Sequence, residues 1–351
     1  MAADTSTPRL TRVSGYRPNL INLIGLILVG LVGVWLLVNL IKTPEDFFDL
    51  LLVGLTVGMV YALIALGYSL VYGILELINF AHGDVFMLGA MLTTTLVGVF
   101  GLSASNHGQL LALIVPMLLI VALFTATLNT TIEFIAYRPL RHAPRLAPLI
   151  TAIGVSFILQ NVGLIWKGPA PVNLENGLLP RGTIFSVAGA DVRWNRLIVF
   201  LVTLPTLALL VWLVQKTKQG KAMRAVAQDK DAAAIMGINV NRTISFTFMI
   251  AGTLAGAAGV MYALYVTSVS FDTGFRLGLF AFTAAVLGGI GNLPGAVLGA
   301  LLIGLIEQFN NGLSWHAPGS DWTNSIIFSV LILILVFRPE GLLGERTPEG
   351  G

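Results

Sequence analysis

Seven apolar runs, at residues 19–41, 49–75, 83–101, 110–137, 147–166, 196–214 and 243–266, are each long enough to cross a bilayer, whose hydrocarbon core of about 30 Å takes roughly 20 helical residues. Three shorter runs follow at 276–290, 296–309 and 324–338. At about 15 residues each, they read as tilted, broken or re-entrant elements. The expected fold is an all-α polytopic membrane protein of about 8 to 10 transmembrane helices, ten if every run crosses. Composition excludes a soluble domain: 56% of residues are hydrophobic and 11% charged, with a mean hydropathy of +0.86. The chain has no cysteine, which excludes disulfides, thiolate metal sites and cysteine nucleophiles.

Basic residues set the orientation, because cytoplasmic loops carry an excess of Lys and Arg. With the N-terminus inside, Lys42, Lys167, Arg181, Arg193, Arg196 and Arg276 fall outside, and the rest of the 20 basic residues, including Arg145, fall inside. Both termini are therefore expected in the cytoplasm. The net charge of +3 is scattered through short loops, which assigns it to topology and not to nucleic acid. The chain then divides into a cytoplasmic tail (1–18), an additional uncleaved N-terminal helix (19–41), a transmembrane domain (49–338) and a cytoplasmic tail (339–351). Within the domain lie an outer loop at 167–195 and a cytoplasmic loop at 215–242. The outer loop holds TIFSVAG among prolines and glycines, which predicts a small hairpin lid.

Gly54 and Gly58, Gly252 and Gly256, and Gly295 and Gly299 are four apart, the spacing that lets helices approach closely in lipid. The segment GMVYAL at 58–63 echoes GVMYAL at 259–264, on spans of opposite direction. Such an echo is the mark of an inverted repeat, or chance in so Gly- and Ala-rich a chain.

No enzyme constellation emerges. His82, His107, His142 and His316 lack metal-ligand spacing, and QGKA at 219–222 lacks the first Gly and the following Ser or Thr of a phosphate loop. Asn79, His82 and Asp84 stand between the second and third runs. They read as a structured turn with Asp84 capping the next helix, as an ordinary turn facing water, or as the lining of a gate or pathway. Thr125, Asn129, Thr130 and Glu133 largely share one helix face. They either line a polar passage or let Glu133 reach Arg138 and Arg141 at the interface.

The stretch from Gln215 to Arg242 is charged and helix-forming inside an otherwise lipid-soluble chain. A helix over Lys221 to Met236, ended by Gly237, is expected. Met223, Val226, Ala227, Ala233, Ile235 and Met236 offer apolar contact, while Arg224, Gln228, Asp229, Lys230 and Asp231 stay polar. Such a helix is too short to span; it can lie on the cytoplasmic face and press into a partner's groove.

At these residues the chain resembles the permease subunits of branched-chain amino-acid ABC importers, the Liv type. The resemblance rests on GMVYALIALGYSLVYG at 58–73, INFAHGD at 78–84, GKAMRAVAQDKDAAAIMG at 220–237 and GGIGNLPGAVLG at 288–299. It implies an all-helical permease that pairs with a second, similar permease, two cytoplasmic ATPase subunits and an extracytoplasmic solute-binding protein, in the cytoplasmic (inner) membrane of a bacterium or archaeon. It further implies that ATP and Mg belong to the ATPase subunits, with no cofactor in this chain. Arg224 to Gly237, with Gln228, Asp229, Ala232 and Ala233, would correspond to the element that couples to the ATPase. The helix at 19–41 departs from the pattern, since such permeases often begin near the equivalent of Asp49. Related permeases are associated with branched-chain amino acids, urea and short amides. The rival is an ion-coupled secondary transporter using Glu76, Asp84 or Glu133, but such carboxylates are expected near the midplane, and these three lie closer to the membrane faces.

Overall fold

A computed structural model describes residues 20–77, 79–141, 143–144, 146–187 and 189–344. The N-terminal tail at 1–18, Ile78, His142, Arg145 and the end of the C-terminal tail at 345–351 lie outside the described residues. The helices are α1 (Leu20–Lys42), α2 (Pro44–Leu75), α3 (Ala81–Val99), α4 (His107–Ile132), α5 (Leu146–Lys167), α6 (Trp194–Lys216), α7 (Lys218–Gln228), α8 (Lys230–Ile235), α9 (Val240–Val266), α10 (Thr273–Gly288), α11 (Leu293–Gly312) and α12 (Thr323–Phe337). Short strands sit in the connections: β1 (Val172–Asn173), β2 (Thr183–Val187), β3 (Ala190–Arg193) and β4 (Ser268–Val269).

Among the described residues, 8 helices are long and apolar enough to cross a membrane, and the chain is an all-α polytopic membrane protein. α11 outruns its apolar run, and a 3-10 turn at Ser320–Trp322 lengthens α12. α10 stays short: its 16 residues rise about 24 Å.

Contacts between helix ends fix the alternation. On one face Arg196 at the start of α6 bonds Asp49 at the start of α2 (2.8 Å), and Ser314 after α11 bonds Asp46 (2.8 Å). β1 pairs with β4 on that same face, and β2 and β3 close the hairpin expected in the 167–195 loop. On the other face Tyr137 bonds Asn79 (2.8 Å), Gly291 donates to Ser69 (3.1 Å), and Leu342 after α12 donates to Leu287 of α10 (2.9 Å). That second face carries Arg138, Arg141, Arg242, Arg338 and the basic residues of α7 and α8, and is called the basic face below.

Short polar residues start several helices. Asn106 accepts from Gln109 N–H, Asn239 from Arg242 N–H and Asn292 from Gly295 N–H, each satisfying an N–H group that the helix leaves without a partner. In α2, Pro44 occupies the first turn, where its missing N–H costs nothing.

The centre of the bundle is α2, α3, α9 and α10, whose residues are largely buried; α5, α6 and α12 leave most of theirs on the surface. The three glycine pairs lie where backbones meet. A Cβ on Gly58 would come 2.8 Å from Leu301 Cα of α11, and one on Gly252 would come 2.8 Å from Ala126 Cα of α4. Gly54 meets Leu305, Gly256 meets Ala122, Gly295 meets Gly288 and Gly299 meets Ala284. In lipid, where apolar burial cannot drive association, such close approach supplies the dispersion contacts that hold helices together.

The echoed segments belong to two structurally matched halves. α2 packs along α11 as α9 packs along α4, and α3 packs on α9 as α10 packs on α2. Tyr61 of α2 meets Phe280 of α10 edge-on (6.3 Å), and Tyr262 of α9 meets Phe86 of α3 edge-on (5.4 Å). Since α2 and α9 run in opposite directions, α2–α5 and α9–α12 form an inverted repeat of the kind transporters use.

Candidate functional site

Three groups of polar residues stand out in a chain this apolar, and each is built differently. The first lies deep in the bundle and not near a membrane face as expected for Asp84: its partner Ser156 is halfway along α5. α3 begins at Ala81 with Phe80 as its N-cap residue, which makes no side-chain cap bond. The expected capping role of Asp84 is therefore not the observed one: Asp84 sits inside the first turn, fully buried, and accepts a bond from Ser156 of α5 (2.5 Å), to which Gln160 donates in turn (3.1 Å). Nor do Asn79, His82 and Asp84 face water; all three are buried. His82 lies under the Tyr68 ring (4.9 Å), with the Ile64 carbonyl alongside, and neither ring nitrogen has a well-formed hydrogen bond among the described residues. The reason is tertiary. Gly83 lies against Gly274 and Gly278 of α10, which draws the start of α3 into the bundle.

Asp84→Asn keeps an oxygen that accepts from Ser156, so this variant is expected to retain folding and most function. Asp84→Leu removes the acceptor, leaves the Ser156 hydroxyl proton without a partner and costs about 2 kcal/mol. Thermal stability of the two purified variants checks the order; an Asn variant as unstable as the Leu variant would make the charge itself the structural requirement.

Glu133 belongs to a second group, at the basic face. A π-turn, Glu133–Tyr137, follows α4 and turns Glu133 inward, where it is fully buried. It pairs with Arg141, lies 3.4 Å from Arg138, and accepts from Ser245 of α9 (2.6 Å). Thr125 and Thr130 bond back to their own helix and Asn129 donates to the Phe248 carbonyl (2.7 Å). Of the two readings of this stripe, the ion-paired one describes its contacts.

Beyond the bundle on this face lies the segment expected as one helix from Lys221 to Met236. It is two helices, α7 and α8, because Asp229 breaks the run: its side chain accepts from the N–H groups of Asp231 and Ala232 and caps α8. Arg224 reaches back to the Val214 carbonyl at the end of α6, and Gln228 is exposed at the end of α7. Met223, Val226 and Ala233 are buried against the chain's own bundle. Ala233 thus faces inward, which corrects its placement on a partner-facing surface; Ala232 and Ala234 are exposed. Ile235 and Met236 project outward, 85% and 81% exposed. Gly237 takes φ +82°, a backbone that glycine adopts at little cost, and the chain turns there into α9.

The third group was not legible as a site. Glu307 of α11, half-buried, accepts a bond from Tyr61 of α2 (2.7 Å). Arg276 of α10 lies beside Tyr262 of α9 and within electrostatic reach of Glu307. The two echoed tyrosines therefore meet in one cluster, toward the face opposite the basic one. The echo was the only signal in the sequence. Glu307 itself stands in IGLIEQFNN with no motif around it.

The geometry has counterparts among known proteins. The family described as "Branched-chain amino acid transport system / permease component" matches residues 50–336. The high-affinity branched-chain amino acid transport system permease protein BraD of Pseudomonas aeruginosa is 39% identical over 319 residues, 87% of this chain and 99% of that one. The corresponding permease protein LivH of Escherichia coli is 36% identical over 301 residues, 84% of this chain and 95% of that one. A probable branched-chain amino acid transport permease protein LivH of Methanocaldococcus jannaschii is 26% identical over 293 residues, 80% and 88% of the two chains. No solved structure matches.

Proposed function

We propose that this chain, which belongs to the permease-component family of branched-chain amino acid transport systems, carries branched-chain amino acids or similar small polar solutes across the cytoplasmic membrane as one subunit of an ATP-driven importer. The match to that family over residues 50–336 carries the reading. In it, the basic face is the cytoplasmic one, by the excess of Lys and Arg there, and both termini lie on that side. A second, similar permease subunit completes the membrane part. Two ATPase subunits bind ATP and Mg and dock at α7 and α8, and a solute-binding protein delivers the solute to the opposite face.

The division of labour follows from what the chain offers. It presents a short helical platform to the cytoplasm, anchored by Arg224 and the buried Met223, Val226 and Ala233. A partner that changes shape with its nucleotide can bias the two matched halves between inward- and outward-facing arrangements, provided it contacts those arrangements differently. Nothing covalent happens to the solute.

The test is reconstitution. Vesicles carrying the chain with its partner permease, ATPase subunits and binding protein are expected to accumulate radiolabelled leucine only when ATP is supplied to the ATPase side, with no ion gradient imposed. The chain alone is expected to hydrolyse no ATP. Leucine uptake by the chain alone, driven by a proton or sodium gradient in ATP-free vesicles, would overturn the reading.

A further inference from the structure

Glu307 and Arg276 are opposite charges set near each other without pairing, unlike the ion-paired charges of the bundle. Glu133 is neutralised by Arg138 and Arg141, and Arg196 by Asp49. Glu307 and Arg276 sit on the adjacent helices α11 and α10, sense each other, and form no ion pair with each other among the described residues. Tyr61 donates to Glu307 (2.7 Å), and Tyr262 stands near Arg276, within its electrostatic reach. Both tyrosines are buried, and Phe280 and Phe86 back them edge-on. Glu307 is half-buried and Arg276 exposed, so neither side chain is sealed inside the chain's own packing.

A carboxylate and a guanidinium kept apart against an aromatic wall suit a ligand that carries both charges itself. An ionisable residue within the membrane is costly and is by default a candidate for function, solute pathways among them, and the low-dielectric wall strengthens each charged contact. A guanidinium fits a carboxylate through two parallel N–H bonds. We propose that Glu307 and Arg276 form a station inside the permease for the zwitterionic end of an α-amino acid, Glu307 taking the ammonium group and Arg276 the carboxylate. Tyr61 and Tyr262, the residues shared by the two halves of the repeat, position these charges. The inference rests on the transport function proposed above and adds to it a residue-level basis for the solute class.

The experiment measures binding and transport separately. The assembled complex in nanodiscs, without the binding protein, is mixed with L-leucine, with 4-methylpentanoate, which keeps only the carboxylate, or with 3-methylbutylamine, which keeps only the ammonium group. Saturation-transfer NMR reads weak binding of each. Wild type is expected to favour leucine over both analogues by roughly tenfold, the factor given by about 1.4 kcal/mol. Glu307→Gln is expected to erase the preference over 4-methylpentanoate, and Arg276→Gln the preference over 3-methylbutylamine. Glu307→Asp, which keeps the charge, should retain most of the leucine preference, and this rescue separates recognition from mere structural support. Equal preference in wild type and both neutral variants, or weaker binding of leucine and both analogues alike in each variant, would overturn the station. Failure of ATP-driven leucine uptake by wild type would instead overturn the transport reading.

Discussion

Changing Ile235 and Met236 together to aspartate is expected to reduce ATP-driven uptake by about a hundredfold or more, the scale set when two central contacts of an interface are lost. These side chains are 85% and 81% exposed at the end of α8, on a face that the rest of the chain leaves uncovered. Large apolar side chains held out into water beside charged neighbours mark an interaction surface, and the compositional core of such surfaces is apolar with charges excluded. The fold has no stake in them. α8 is fixed by its Asp229 cap and by the buried Ala233, so the double variant should reach the membrane in normal yield with unchanged thermal stability. It should fail to retain the ATPase subunits through purification, or retain them while hydrolysing ATP without moving solute. The contrast is Ala233→Glu, which forces a charge into the chain's own packing and is expected to lower stability as well. Wild-type complex yield and wild-type transport per ATP hydrolysed in the Ile235→Asp, Met236→Asp variant would reduce α8 to a surface element.

What the sequence disclosed and what it withheld divide along one physical line. Length and hydropathy revealed the spans, because a bilayer imposes them on each segment separately. Four-residue glycine spacing revealed the packing faces of α2 and α9, because that signal is also local. Gly237 was readable for the same reason. The break between α7 and α8 was half-readable: Asp229 is a good N-cap residue, but its helix-forming neighbours on both sides hid it.

What was not local was not legible. Asp84 looked like a cap because a carboxylate after Gly83 in a polar turn often is one. Its partner, Ser156, is 72 residues away, and only the close contact of Gly83 with Gly274 and Gly278 puts it out of reach of water. Ala233 looked like part of a docking face because small residues permit close approach; which neighbour approaches is decided by the tertiary fold. Glu307 is the sharpest case. Its meaning comes from Tyr61, 246 positions earlier, and from Arg276 on another helix. The six-residue echo held the only trace of that meeting, as a repeat whose two tyrosines face one another's half.

Removing the charge of Glu133 is expected to be the most destabilising single change of the basic face. The carboxylate is fully buried, and Arg141, only 13% exposed in its side chain, depends on it. Burial lowers the Arg141 guanidinium from its usual value, and Glu133 works against that shift; without the carboxylate the burial cost stands unopposed. Breaking a buried pair from one side costs about 3 to 5 kcal/mol, because the remaining charge is left without compensation. Arg138, 33% exposed, can turn toward water and loses little. Ser245 loses the acceptor it bonds at 2.6 Å, and with it the link between the end of α4 and the start of α9 weakens. Glu133→Leu is therefore expected to lower the melting temperature of the purified chain by roughly 5 °C or more. The companion variant decides the cause. Replacing both partners, as Glu133→Leu with Arg141→Met, removes the stranded charge along with the pair, and a buried pair exchanged for apolar groups of similar shape is often neutral. The double variant should recover most of the loss. Should it melt as low as Glu133→Leu alone, the stability would come from the π-turn that Glu133 opens, or from its bond to Ser245, and not from the ion pair.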